Sequence, residues 1–219
     1  MTGKEFAMKL LHIAASPKPD EQSSGKRVAN AFVDAYLKKH EQVQFRYIDL
    51  HTLEIPAMTK ELLEAFESGK AQCEREQQAL QIYDSLCNEF IAADRYVISF
   101  PNWNLTAPPV LVSYILAVIR AGKAFRYTEQ GSEGLLHNKK VALVVSSGGI
   151  TSGTQPKETC TAIAWLKNLF LVCGICDVQV LYCEGIEQMP NQEENIITTA
   201  IQHAKQQGAV WIQRQGNKL

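Results

Sequence analysis

Two hydrophobic periods alternate along the chain, and each predicts a different element. The run MKLLHIAAS, Met8 to Ser16, is almost continuously apolar and ends in small residues, as a buried strand does. From Gly25 to about His40, apolar residues fall at Val28, Ala31, Phe32, Ala35 and Tyr36, the spacing of one helix face. QFRYIDL, Gln44 to Leu50, alternates like a strand and leads into an irregular stretch that reaches about Gly69. A long helical pattern covers about Gln72 to Ala93. RYVISF, Arg95 to Phe100, reads as a buried strand, and helical spacing resumes from Pro109 to about Ala121. KKVALVVSS, Lys139 to Ser147, is another buried strand, followed by a helix from about Lys157 to Cys173. DVQVLYCEG, Asp177 to Gly185, is the last strand, and Asn191 to Arg214 the closing helix.

Strands that alternate with helices imply a parallel sheet covered on both faces. Five strands suit the flavodoxin-like doubly wound arrangement, order 2-1-3-4-5. The expected fold class is therefore α/β, one domain over residues 1–219, with an insert at about 122–138. Hydrophobic residues at 46% and charged residues at 21% are ordinary for a globular chain of 219 residues. A net charge near −1 with scattered lysines and arginines gives nucleic-acid binding no electrostatic support. Glu5 and a very short apolar run argue against a secretion leader, and no apolar stretch reaches membrane-spanning length, so a cytoplasmic location is expected.

The six cysteines then read as free, mostly buried thiols. CGIC, Cys173 to Cys176, lacks a second ligand pair and reads as buried structural cysteines around a helix-ending Gly174. His12 lies inside the first strand and reads as a core histidine, and His137 as a surface loop histidine. Nothing suggests a metal site. The charge-rich run Lys60 to Gln78 reads as a solvated helix face.

In such sheets ligands bind beyond the C-terminal ends of the strands, and the loops after strands one, three and four are chemically unusual. The first holds Ser16, Gln22, Ser23 and Ser24 and opens straight into a helix. A helix N-terminus with added hydroxyls suits a mononucleotide phosphate; a plain serine cap explains it as well. It lacks the glycines of a Walker A loop or of GxGxxG. The second, FPNWNLTAPP, puts Trp103 between Asn102 and Asn104, with Pro101 before and Pro108 and Pro109 after. A flat apolar face beside amides matches the wall of a planar heterocycle, or a kinked loop whose Trp plugs the core. In the third, Ser146, Ser147, Gly148 and Gly149 offer backbone N–H groups that can approach a ligand closely, or form a simple turn. The three together favour one ligand site.

The stretch Pro101 to Ile150 resembles the FMN-dependent NADH-azoreductase family of flavodoxin-like quinone reductases. AGKAFRYTEQGSEGLL, Ala121 to Leu136, matches its AG-x-x-F-x-Y-x-x-x-G-x-x-G-L signature most specifically. GICDVQVLYCEGI, Gly174 to Ile186, and the N-terminal strand with its serine loop fit as well.

The resemblance implies one FMN per subunit, bound without a covalent bond, in a homodimer. It implies ping-pong electron transfer from NADH or NADPH to quinone or azo substrates. Ser16 and Gln22-Ser23-Ser24 would hold the phosphate. Pro101 and Asn102-Trp103-Asn104-Leu105 would lie along the ring, and Ser146-Ser147-Gly148-Gly149 at its pyrimidine end. Tyr127 would stand near the substrate face, from across the dimer. The flavin itself would carry the hydride, so no protein acid is required for that half. Known members carry Met-Tyr-Asn-Phe in place of Asn102 to Leu105, and arginine in place of Ser147; these departures bear on substrate range and flavin potential. An FMN electron carrier and a flavin-free scaffold of the same fold are the competing readings.

Overall fold

The computed structural model describes residues 8–153 and 160–211. Five parallel strands form one sheet: β1 (Lys9–Ala14), β2 (Gln44–Asp49), β3 (Arg95–Pro101), β6 (Lys140–Ser147) and β7 (Asp177–Glu184). Their order is β2-β1-β3-β6-β7. Counting only the strands of this sheet, that is the expected 2-1-3-4-5. Helices α1 (Ser24–Leu37), α3 (Glu74–Ala92), α4 (Pro109–Val118), α5 (Thr161–Val172) and α6 (Glu193–Ala209) connect the strands or close the chain.

Side chains of the central strands alternate between two cores, because successive residues of a strand point to opposite faces. On β3, Tyr96, Ile98 and Phe100 enter the core shared with α3, α4 and α5, while Val97 enters the one under α1 and α6. On β6, Val141, Leu143 and Val145 take the first side, Ala142 and Val144 the second. Burial on both faces is why these strands read as unbroken apolar runs. Phe32 of α1 and Trp211 beyond α6 pack edge to face, with ring centroids 5.0 Å apart.

The structure adds elements to two stretches. The irregular segment after β2 contains α2 (Lys60–Ser68), capped by the Thr59 hydroxyl and ended by Gly69 at φ 68°. The charged run is therefore two helices broken by a left-handed glycine. The insert forms an antiparallel hairpin, β4 (Phe125–Thr128) and β5 (Gly131–Gly134). The proposed starts and ends of the last two helices fall partly on residues 157–159 and 212–214, outside the described residues.

Among the described residues no helix is long and apolar enough to cross a membrane. All six thiols are free, and Cys87, Cys160, Cys173 and Cys183 are buried. The CGIC reading needs one correction: Cys173 is buried and caps α5, with Gly174 following at φ 91°, but Cys176 is exposed. The turn at Gly174 reverses the chain, so only its first cysteine faces the core.

Candidate active site at the C-terminal edge of the sheet

Loops after β1, β3, β6 and β7 enclose a cleft of about 710 Å³. The first loop ends at Ser23, which caps α1 by accepting a hydrogen bond from the Lys26 N–H at 3.3 Å. Ser16 likewise accepts from the Lys18 N–H at 3.4 Å. Both serines are buried, and each hydroxyl has a proton left to donate to an anion. Ser24 opens the helix, whose first-turn N–H groups have no partner within the helix itself. Ser16, Gln22, Ser23 and Ser24 all line the cleft. Gly25 allows the close approach behind them: a Cβ there would lie 3.0 Å from the Ser146 hydroxyl.

The second loop is a small hairpin of its own. Trp103 and Thr106 exchange two backbone hydrogen bonds, each 2.9 Å, around Asn104 and Leu105. Both central residues have positive φ, 49° and 66°, as a type I′ turn requires. Asparagine tolerates this region, while leucine there is strained by roughly 1–2 kcal/mol. The Leu105 carbonyl is fixed by two bonds from Thr161, the N–H at 2.7 Å and the hydroxyl at 2.8 Å. The turn thereby pushes Trp103 to the rim, 43% exposed. Trp103 is therefore not a core plug, and it lines the cleft with Pro101, Asn102 and Asn104. Pro109 begins α4 in the first-turn position a proline fits.

Asn102 is bound to β6 by its N–H, 2.7 Å from the Ser146 carbonyl. Its side-chain oxygen is buried and has no hydrogen-bond partner among the described residues. Such an acceptor in a ligand cleft is normally satisfied when the ligand arrives.

The third loop is braced from β7. The Ser147 hydroxyl donates to the Gly149 carbonyl at 2.6 Å. Glu184, at the end of β7, accepts from the Thr151 N–H at 2.7 Å and the Ser152 N–H at 2.9 Å, and also binds the Ser152 hydroxyl. Gly148 permits the packing: a Cβ would lie 2.6 Å from the Glu187 carboxylate. Ser146, Ser147 and Gly148 line the cleft.

Leu105, Gly149 and Tyr127 are outside the cleft lining. Tyr127 stands on the β4–β5 hairpin, 76% exposed. Residues that pattern reading passed over complete the walls, above all Arg27, Glu187 and Glu194. Arg27 makes a two-pronged ion pair with Glu194 at 3.2 and 3.3 Å, joining the first turns of α1 and α6, and it holds the Glu194 carboxyl below its ordinary range. An arginine four residues after the capping serine was the one available signal. Among the described residues no group of three or more His, Cys, Asp or Glu side chains is placed to hold a metal ion.

A doubly wound parallel sheet with a ligand-sized cleft over its central strand ends defines a flavodoxin-like protein. A family model described as flavodoxin-like fold matches residues 8–207, and the chain belongs to that family. A curated relative from Listeria innocua, an FMN-dependent NADH:quinone oxidoreductase, is 37% identical over 88% of this chain and 94% of its own length. One of the same name from Staphylococcus haemolyticus is 34% identical over 90% of this chain and 97% of its own. Among solved structures, an azoreductase from Bacillus anthracis Sterne superposes with a TM-score of 0.83 at 31% identity, covering 92% of this chain and 99% of that one. An FMN-dependent NADH-azoreductase from Bacillus anthracis Ames Ancestor, in complex with FMN, gives 0.85 at 26% identity over 92% and 98%.

Proposed function

We propose that the cleft binds FMN without a covalent bond and that the protein is an FMN-dependent NADH:quinone oxidoreductase that also cleaves aromatic azo compounds reductively. The observation that carries the site assignment is the convergence of three ligand-type loops on one cleft containing an orphaned acceptor, Asn102. The activity rests on the relatives, which bear that name along nearly their whole length.

Ser16, Gln22, Ser23 and the open end of α1 would hold the phosphate. Trp103 would give the ring a flat wall. The loop from Ser146 to Gly149 would direct N–H groups at its polar edge. Bound flavin supplies two-electron transfer between a nicotinamide and an acceptor. The chain's part is to hold the partners in stacking distance, to exclude water and to stabilise the developing negative charge with fixed donors. Donor and acceptor would use one face in turn, a ping-pong order. A homodimer belongs to this reading: the exposed side chains Leu116, Leu171 and Tyr127 are what an interface would cover.

The test is a visible spectrum of protein mixed with excess FMN and desalted. Retained yellow colour that NADH bleaches and a quinone restores is the expected result. Colour that NADH leaves untouched would identify a carrier, and no retained flavin would overturn the assignment of all three loops. A finer expectation concerns Asn102. In Asn102→Leu, FMN should bind about tenfold more weakly, one hydrogen bond's worth, with no loss of stability in the flavin-free protein. Fluorescence titration of FMN checks this, and unchanged affinity would remove Asn102 from the site.

A further inference from the structure

We propose that Lys26 is a positioning residue for the cofactor phosphate, holding the β1–α1 loop from beneath; this rests on the assignment of that loop to the FMN phosphate. Lys26 lies in the first turn of α1 yet is only 2% exposed. It is not among the cleft's lining residues. Its ammonium group meets three oxygens: the Asp49 carboxylate at 2.7 Å, the Lys18 carbonyl at 3.0 Å and the Asp20 carboxylate at 3.4 Å. Three protons are thus matched to three acceptors. Two of these, Lys18 and Asp20, belong to the loop, and the third is the last residue of β2.

Asp20 is held from two further directions. It accepts from the Tyr47 hydroxyl at 3.2 Å and from the Asn30 amide at 3.3 Å. Burial alone would raise its pKa; the bonds from Asn30, Lys26 and Tyr47 leave it below its ordinary value. Its neighbour Pro19 accepts from the Gln22 and Ser23 N–H groups, both at 3.0 Å. The loop's entrance is fixed too, with the Ala15 N–H 2.8 Å from the Ser99 carbonyl. A loop between two serines that must both face one phosphate is therefore pinned at its start, middle and end. The middle pin is the ammonium of Lys26.

This arrangement is not explained by attraction for phosphate. The cluster of Lys26, Asp20 and Asp49 carries one positive and two negative charges, so its net field opposes an anion. Its use is geometric, keeping donors in place before the ligand arrives.

That opposition supplies a test in which geometry and charge predict opposite signs. Asp20→Ala removes a negative charge from the loop and also releases the tether. If charge rules, FMN binds more tightly. If position rules, FMN binds more weakly, by about tenfold. Riboflavin, which has no phosphate, serves as the control ligand and should change less than about threefold. Lys26→Met should show the same selective loss, larger in size. Asp20 is half exposed, so its variant keeps the experiment readable if Lys26→Met folds poorly.

Both flavins are titrated by fluorescence against each protein. A fall in FMN affinity with riboflavin unchanged supports the proposal. Equal losses for both flavins, no change, or tighter FMN binding by Asp20→Ala overturns it while leaving the FMN assignment standing. Wild-type protein that binds neither flavin, or binds both equally, overturns the phosphate assignment and this inference with it.

Discussion

Gly208→Val is expected to lower the stability of the protein by about 3 kcal/mol, the upper range for forcing atoms into a packed interior. Gly208 is buried near the end of α6, where that helix crosses α1. A Cβ at this position would lie 2.2 Å from the Phe32 carbonyl oxygen and 3.0 Å from its carbon. Both are backbone atoms, so no rotamer change relieves the overlap. One helix must move, and either movement opens the core in which Phe32, Trp211 and Ile197 are packed. The variant loses more than the roughly 1 kcal/mol that replacing a helix glycine returns. Gly149→Ala is the contrast, because among the described residues no atom lies within 4 Å of the added carbon; its stability should change by less than about 0.5 kcal/mol. Urea unfolding followed by circular dichroism measures both. If Gly208→Val unfolds at the wild-type midpoint, the close crossing of α1 and α6 is wrong. Because α1 also opens the proposed phosphate site, excess FMN should recover part of the loss, about 2.7 kcal/mol at a hundredfold excess over Kd.

The crossing at Gly208 illustrates what pattern reading does and does not reach. Strands β1, β3 and β6 are buried on both faces, so their sequences are continuous apolar runs that nothing else explains. Their order then follows from connection rules, and the order alone places three of the four cleft loops at one edge. The hairpin was not legible because β4 and β5 are four residues each and almost wholly exposed, leaving no alternation to see. Helix α2 buries only Leu62 and Ala65, too few positions to declare a period.

Within the site, the serines, amides and glycines were legible because their chemistry is local. The residues that brace them were not. A lysine in the first turn of a helix reads as solvated; the buried Lys26 has its shortest ion pair with Asp49, 23 positions away. Glu184 ends a strand and looks like any charged terminus, yet it holds a loop 33 positions earlier. Leu105 reads as a wall residue only through the family resemblance of the Asn102–Leu105 loop. Its positive φ and the capture of its carbonyl by Thr161, 56 positions on, make it the turn that presents Trp103 instead. Long-range partners of this kind leave no periodic trace.

The same buried layer beneath the loop sets the second large effect. Between pH 7 and pH 4 the protein should lose ~3 kcal/mol of stability through His12 alone. His12 is fully buried on β1, its Nε2 3.2 Å from the Ser99 hydroxyl and its ring edge-on to Tyr47 at 5.0 Å. Among the described residues its Nδ1 has no partner. Burial is the main reason its pKa falls from 6.5 to about 4; Asp20 opposes the shift and Lys26 adds to it. Within that window the unfolded chain binds a proton that the native protein refuses. Stability is therefore full above pH 6.5, declines as the pH falls, and levels off for this group near 4. The carboxyl of Asp20 is shifted below its ordinary 3.8, so its contribution is lost in a lower range. The two can be separated. Urea unfolding at pH 7, 6, 5 and 4 should show the slope in the wild type and lose most of it in His12→Leu, whatever the variant's stability at pH 7. An equal slope in both proteins would mean that His12 takes up its proton in the native state, with a bond to Nδ1 that the folded chain supplies on acidification.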